Sequence, residues 1–233
     1  MAKPTPSKAS ERRYYSDLKK IAKAVSAIII SHTDEWKFDT AAMVLLSKYS
    51  EQLTPWAIRT ATKMLKDTNG QSDRFFTAQM KSIGKEYSRQ LAESKAGQSA
   101  TQLLNEQVSL IKSIPIEAGL RTQNLSQQAA SGGRRVDEVA AEIARTEEVT
   151  ESRAMLIART ETSKATATFN QARAESVGSS GYIWRTAEDG DVRESHAQMD
   201  GEFVSWSNPP TLDGMTGHAG CLPNCRCYAE VVL

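Results

Sequence analysis

The sequence predicts an α+β fold, with a mainly helical N-terminal body followed by a small, loop-rich antiparallel β unit at the C-terminus. Apolar residues recur at helical spacing from residue 14 to about residue 176. Beyond residue 181, short aromatic and β-branched runs alternate with Gly and Pro turns, which is typical of short strands. The composition, 39% hydrophobic and 24% charged, is that of a globular chain rather than a disordered one. The longest apolar run, residues 24–30, is far shorter than the ~20 residues that span a bilayer, so we expect no membrane span.

The first three helices are predicted from one apolar stripe and two start signals. Apolar residues from Tyr15 to Ile29 follow one face at three-and-four spacing. Asp39 or Thr40 is suited to cap a second helix. Thr54-Pro55 places a proline at the favoured first position of a third helix, which we expect to end at Asn69-Gly70.

Two more helices are predicted before residue 131. One covers about Ser72 to Ala96, with Gly84 as its weak point. The next passes through residues 103–111 and is expected to stop at Ile114-Pro115, because the residue before a proline disfavours the helical region. A further helix should then end at the turn signal Ser131-Gly132-Gly133.

A short motif, Ile-Ala-Arg-Thr-Glu, occurs at residues 143–147 and again at residues 157–161. A separation of 14 residues is close to four turns at about 3.6 residues per turn, so both copies would face the same way on one helix. The residues after Thr150 make a poor capping box, and we expect a short break there. The following helix should continue to about Ser176.

Three strands are predicted in the C-terminal β unit. They are Tyr182–Thr186, Phe203–Trp206 and Tyr228–Leu233. The acidic segment 188–191 is predicted to be a turn, and residues 209–220 form a loop rich in Gly and Pro.

Charge is distributed unevenly along the chain. Residues 1–25 have seven basic side chains against two acidic ones, a net charge of +5, whereas residues 180–233 have a net charge of −5. The basic side chains of this N-terminal arm are Lys3, Lys8, Arg12, Arg13, Lys19, Lys20 and Lys23. Three interpretations stay open: a solvated tail, an arm that binds DNA phosphates, or a segment that docks on an acidic patch of a protein partner.

All three cysteines lie within seven residues, close to two of the three histidines. The candidate metal ligands are His196, Cys221, Cys225 and Cys227, with His218 as an additional histidine. Together they could form a tetrahedral nitrogen and sulfur site for zinc, although the spacing Cys-x3-Cys-x-Cys differs from paired Cys-x2-Cys zinc motifs. Cys225 and Cys227 flank Arg226, so an extended segment would place both on one face. A Cys221–Cys225 disulfide and free buried thiols are the alternatives.

Polar residues follow the first predicted strand. Asp189, Asp191 and His196, with the cysteines, could form a metal-dependent nuclease or hydrolase site. The alternative is a hydrogen-bond and ion-pair network that holds a long loop against the sheet. We favour the network, because no P-loop or recognisable nucleophile accompanies these residues. Arg159 and Glu161 are two apart on a helix and do not face each other, so we expect one of them to contact residues 189–200.

A series of motifs runs through the second half of the chain: Ile157-Ala-Arg-Thr-Glu-Thr162, Asn170, Trp184-Arg-Thr186, Asp189, Arg193, His196, Asp200-Gly201, Pro209-Pro210 and Asn224-Cys-Arg-Cys227. This series resembles the phage head morphogenesis family, the Mu F-like minor head proteins encoded beside the portal gene. It extends over roughly residues 106–233. The residues taken as its structural motif are Arg159, Thr160, Glu161, Trp184, Asp189, Arg193, His196, Asp200, Gly201, Asn224 and Arg226. Many relatives have His-Pro where this chain has Leu222-Pro223.

The resemblance implies two regions and a structural role. Residues 1–105 would form a helical N-terminal region with the basic arm, and residues 106–233 the Mu F-like domain. Such proteins are low-copy virion components at the portal vertex that aid prohead assembly and have a part in DNA packaging or delivery. The resemblance implies no enzyme activity and no cofactor. It implies the portal protein and the major capsid or scaffold protein as partners, DNA as a further candidate, and a location in the phage head after assembly in the host cytoplasm.

Overall fold

A computed structural model describes residues 5–82 and 95–232. The helices in these residues are α1 (Lys8–Ser31), α2 (Ala41–Gln52), α3 (Thr54–Ser82), α4 (Ala96–Ala130), α5 (Val136–Ala144), α6 (Thr146–Ser176) and the single-turn α7 (Glu194–Ala197). The strands are β1 (Thr33–Asp34), β2 (Lys37–Phe38), β3 (Gly181–Arg185), β4 (Phe203–Ser205), β5 (Thr211–Leu212), β6 (Met215–Thr216) and β7 (Tyr228–Val232). The predicted α+β class, a helical body followed by a small antiparallel sheet, is confirmed.

The chain folds into two compact units, neither of which is continuous in sequence. The sheet unit is drawn from residues 1–11, 62–104 and 159–233. The helical unit is drawn from residues 12–61 and 105–158. The domains 1–105 and 106–233 are predicted from the resemblance to a family, not from compactness. They therefore stay a prediction.

The helical unit is built around the apolar stripe of α1. Leu18, Ile21 and Val25 are fully buried, as their spacing predicts. Tyr14 rather than Tyr15 is buried at the start of the stripe, and its hydroxyl donates a hydrogen bond to Gln107 Oε1 at 2.8 Å. This hydrogen bond to α4 satisfies the hydroxyl of a tyrosine whose ring lies in the core.

Helix α1 begins at Lys8, earlier than the apolar pattern predicts. The hydroxyl of Ser7 accepts a hydrogen bond from the backbone N–H of Ser10 at 3.2 Å, which is the contact of an N-terminal cap. The basic side chains from Lys8 to Lys23 therefore lie on a helix. Lys3 lies outside the described residues.

Two predicted helix ends are wrong. Helix α3 continues through Asn69-Gly70 to Ser82, and α4 contains Pro115 in its interior. An interior glycine costs about 1 kcal/mol and an interior proline about 3 kcal/mol, penalties that packing can offset. Ile111 and Ile114, beside Pro115, are almost completely buried, so the core of the helical unit holds α4 together there. The helix predicted over residues 72–96 lies partly outside the described residues, as does Gly84.

The predicted break near Thr150 is also wrong, because the two helices meet at Arg145. The first copy of the Ile-Ala-Arg-Thr-Glu motif crosses this junction, whereas the second lies inside α6. The hydroxyl of Thr150 donates to the carbonyl of Thr146 at 2.7 Å, within α6, and does not cap a new helix. The two copies therefore have different conformations.

A buried arginine links α6 to α3 in the sheet unit. Arg173 Nη2 donates to Asn69 Oδ1 at 2.6 Å, and its Nη1 donates to the hydroxyl of Ser72 at 3.0 Å. That hydroxyl in turn donates to Asn170 Oδ1 at 2.7 Å. The Arg173 side chain is only 6% exposed, and this burial lowers its pKa. Asn69, which the sequence marked as a helix end, is therefore held within α3 by a tertiary contact.

The three predicted strands form one antiparallel sheet in the order β4-β3-β7. Tyr182 pairs with Val204 on one side and with Val231 on the other. The loop between β4 and β7 contains a hairpin, β5–β6, that the sequence pattern did not predict. Its turn residues Asp213 and Gly214 both have positive φ, as a two-residue type I′ turn requires.

Gly181 is the position in the sheet where a side chain has no room. A Cβ atom there would lie against the carbonyl oxygen of Val204 and 2.5 Å from a carbon of the Phe203 ring, which covers the glycine from the neighbouring strand. Gly181→Ala should therefore lower the free energy of unfolding by about 1–3 kcal/mol, because a backbone oxygen cannot rotate away.

Urea unfolding followed by circular dichroism would measure this effect. Gly190→Ala is the matched control, since a Cβ there meets nothing within 4 Å. Equal urea midpoints for the two variants would contradict the predicted clash.

Candidate metal centre

The segment 221–227, here the cysteine loop, is held against α6 by side chains from the second Ile-Ala-Arg-Thr-Glu motif. Arg159 Nη1 donates to Asn224 Oδ1 at 3.1 Å, and the backbone N–H of Asn224 donates to Thr160 Oγ1 at 3.0 Å. One turn further along α6, the hydroxyl of Ser163 donates to the carbonyl of Cys225 at 3.5 Å. The motif therefore fixes the position of the cysteine loop.

Two more arginines connect the cysteine loop to residues 188–193, here the acidic loop, which follow β3. Arg193 Nη2 donates to the carbonyl of Pro223 at 2.7 Å. Arg226 lies 2.6 Å from Asp189 and 2.7 Å from Asp191, so one guanidinium binds both carboxylates. Arg159 itself binds Asn224 and lies 3.8 Å from Glu11, so the acidic loop is bound by Arg226 rather than by Arg159.

Backbone geometry explains three of the remaining motif residues. Gly201 has φ +88 and donates its N–H to the carbonyl of Trp184 at 2.9 Å. Asp200 Oδ1 accepts the backbone N–H of Thr186 at 2.8 Å, which fixes the chain as it leaves β3. Asn224 adopts φ +56, a left-handed conformation that asparagine tolerates better than most residues, and so turns the cysteine loop.

His196, Cys225 and Cys227 form a compact buried cluster. Their potential ligand atoms all lie within 4.8 Å of one another, and His196 Nδ1 is 3.5 Å from each of the two sulfurs. The three residues are 2%, 4% and 2% exposed. Helix α7 places the histidine, and the extended run Cys225-Arg226-Cys227 places both sulfurs on one side, with Arg226 facing the acidic loop.

The surroundings of this cluster are aromatic on one side and polar on the other. The Trp184 ring meets the His196 ring edge to face, with centroids 5.6 Å apart at 89°. A cavity of about 40 Å³ borders the cluster, and its lining includes Asp191, Arg193 and Asn224. His196 Nε2 is buried, and no residue in the described part of the chain forms a hydrogen bond with it.

The two clustered thiols influence each other strongly. A hydrogen bond from Cys227 lowers the pKa of Cys225 to about 5. The same hydrogen bond, together with burial, raises the pKa of Cys227. Cys225 is therefore the sulfur of the pair that more readily forms a thiolate, the form that binds metal ions.

The other two predicted candidates lie apart from this cluster. Cys221 is not part of the group of ligand atoms, and burial raises the pKa of its thiol. His218 Nδ1 is 3.2 Å from the Tyr182 hydroxyl, and burial lowers its pKa. All three cysteines are free thiols, so the Cys221–Cys225 disulfide is not formed.

The sequence named most of these residues but missed several partners. It did not identify Ser163, the pairing of Arg226 with Asp189 and Asp191, or the buried Arg173. A signal for Arg173 was present, since it lies four residues after Phe169, on the face of α6 that also contains Ala165 and Ala158. Partners of this kind are separated by 30 residues or more, and spacing alone does not reveal them.

Comparison with known proteins finds similarities in the C-terminal region. The family model described as Phage Mu protein F like protein matches residues 121–230. An uncharacterized protein of Haemophilus influenzae (strain ATCC 51907 / DSM 11121 / KW20 / Rd) is 42% identical over 126 residues, which are 54% of this chain and 28% of that protein. The chain thus spans little more than a quarter of that relative's length.

No solved structure matches the chain. None of the described helices is long and apolar enough to cross a membrane. The match covers the cysteine loop, the acidic loop and all of α6. Residues 121–230 are therefore similar to the phage Mu protein F-like family, the family that the sequence motifs resemble.

Proposed function

We propose that this protein is a minor head protein of a tailed bacteriophage, a structural component associated with the portal vertex that aids prohead assembly. The observation that carries the proposal is the family match over residues 121–230, which supports a role in phage head morphogenesis. In this proposal the protein becomes part of the virion, after assembly with portal, major capsid or scaffold proteins in the host cytoplasm.

The contacts of the motif residues support a structural role. Arg159 and Arg193 donate hydrogen bonds that hold the cysteine loop, and Arg226 forms ion pairs with Asp189 and Asp191. The hydrolase alternative requires these carboxylates as metal ligands or bases. The ligand group found in the described residues contains neither of them, and both already bind a guanidinium. The hydrolase alternative stays a hypothesis that a nuclease assay on the purified protein would test.

Composition of the phage particle is the direct test of the proposed function. Proheads and mature virions would be purified from a lysate of the phage that encodes this chain, and their proteins quantified by mass spectrometry. We expect the chain in both particles at far lower copy number than the major capsid protein. Disrupting its gene should reduce the yield of infectious particles, and a plasmid-borne copy should restore it.

Absence of the chain from purified proheads, together with a normal yield after gene disruption, would exclude the proposal. A second outcome is that virions contain the chain, but disruption of its gene leaves DNA packaging normal. The chain would then be a structural component of the virion without a role in assembly.

The exposed basic side chains of α1 lead to a prediction about partners. We expect the triple variant Lys8→Gln, Arg12→Gln, Lys23→Gln to bind portal or scaffold protein about tenfold more weakly at low salt, because long-range attraction mainly accelerates encounter. Biolayer interferometry at two salt concentrations would measure the change.

Lys48→Gln, Lys63→Gln, Lys66→Gln is the matched control, because it removes the same charge from exposed positions outside the arm. Duplex DNA would be titrated in parallel. If the arm variant lost affinity for DNA but kept its affinity for the proteins, the arm would be a phosphate-binding segment instead.

A further inference from the structure

We propose that His196, Cys225 and Cys227 bind one zinc ion, with a water molecule as the fourth ligand. This site goes beyond the proposed role in the phage head, which requires no metal. Three observations carry it: the distances within the cluster, its burial, and the polar cavity beside it.

The distances match a tetrahedral zinc centre. Zinc lies about 2.0–2.1 Å from a histidine nitrogen and about 2.3 Å from a thiolate sulfur, so tetrahedral angles place nitrogen and sulfur about 3.6 Å apart. His196 Nδ1 is 3.5 Å from the sulfur of Cys225 and 3.5 Å from that of Cys227. One ion placed between the three atoms could therefore contact all of them with little movement of the chain.

The chemistry of the donor set also favours zinc. Two thiolates and an imidazole are ligands that zinc prefers, and the charge of the ion would cancel that of both thiolates. Cancellation matters here because all three residues are almost completely buried, and a buried thiolate without a counter-charge is unfavourable.

The fourth ligand is assigned to water because of what borders the cluster. The adjoining cavity, about 40 Å³, exceeds the ~10–15 Å³ needed for one water molecule, and it is polar. The carboxylate of Asp191 lines it but is held by Arg226 at 2.7 Å. Cys221 is outside the ligand group. The zinc ion would therefore have three protein ligands and one water molecule.

Such an ion would connect two segments that are far apart in the sequence. His196 lies on the single-turn α7, and the two cysteines lie directly before β7. Zinc would add to the hydrogen bonds from Arg193 and Arg226 and cross-link the acidic loop to the cysteine loop. Because binding energy becomes folding energy in such sites, removal of the metal should destabilise the sheet unit.

Metal content and cobalt substitution test the proposal. The intact chain would be purified from zinc-supplemented medium without chelators, and its metal content measured by mass spectrometry. We expect about one zinc per chain. Replacement by Co²⁺ should give the visible bands of tetrahedral cobalt and a thiolate-to-metal charge-transfer band in the near ultraviolet, and absorption fine structure should give two sulfur neighbours.

Single-residue variants locate the site. We expect Cys225→Ser and Cys227→Ser to lower zinc content about tenfold or more, and Cys221→Ser, the matched control, to keep it. Cys227→His offers a second test if the serine variants fail to fold, since it supplies a different zinc ligand and should retain metal with one sulfur neighbour.

Wild-type protein without zinc and without the cobalt bands would overturn the proposal. Loss of metal from Cys221→Ser equal to that from Cys225→Ser would overturn the assignment of ligands. Neither result depends on whether the chain is found in proheads, so failure of the zinc site and failure of the proposed head role are distinguishable.

Discussion

Replacing Arg173 by Ala is expected to lower the free energy of unfolding by about 3–5 kcal/mol, because two hydrogen bonds to a charged group, each worth about 1.5–3 kcal/mol, are lost. The guanidinium binds Asn69 on α3 and the hydroxyl of Ser72. Ser72 is buried and Asn69 is half-buried, so water replaces the lost bonds poorly. Equilibrium unfolding in urea, followed by circular dichroism, would measure the difference.

Arg185→Ala is the matched control in the same unit. Arg185 pairs with the carboxylate of Glu230, but its side chain is 38% exposed. Exposed pairs contribute about 0–1 kcal/mol, so this variant should unfold almost like the wild type. If the two arginine variants lost the same stability, burial would not be the reason for the effect at Arg173.

Replacing Trp184 by Ala should cost a similar amount, about 3–5 kcal/mol, because it removes a large, fully buried side chain. Trp184 stacks on Tyr182, with ring centroids 6.4 Å apart, and its ring packs against that of His196. The variant should also weaken the histidine–cysteine cluster, because the ring that restrains His196 is lost. Urea unfolding would measure the first effect and zinc content the second.

Phe203→Ala provides the control for this change. Phe203 is an aromatic residue of the neighbouring strand, but it is 53% exposed, so its truncation should cost about 1 kcal/mol or less. Trp184→Phe should fall between the two because it keeps part of the buried volume. A Trp184→Ala protein as stable as the Phe203→Ala protein would show that the sheet rearranges to fill the cavity.

The periodic elements could be predicted from the sequence, whereas the helix ends could not. The stripe of α1 and the three strands of the sheet follow from spacing alone. Asn69-Gly70 and Pro115 fail as stop signals because each carries a local cost of only ~1–3 kcal/mol. Contacts that the sequence does not display, such as Arg173 with Asn69 and the burial of Ile114, stabilise the longer helices.

The candidate metal centre could also be predicted from the sequence only in part. The types of residue indicated a nitrogen and sulfur cluster, and the alternation around Arg226 placed Cys225 and Cys227 on one side. Which cysteines approach His196 depends on the turn at Asn224, whose φ of +56 follows from tertiary contacts with α6. Likewise, the sequence predicted an ion-pair network for Asp189 and Asp191, but only the fold identified Arg226 as their partner.

Four long helices limit where the protein can be cut. Each of them contributes residues to both compact units: α1, α3, α4 and α6. A fragment that starts at residue 106 would keep the cysteine loop but lose Phe76 and Met80, two members of the hydrophobic core around Trp184. The region that carries the family likeness is therefore not an independently transplantable module, and grafting it onto another chain would require a donor for the missing part of α3.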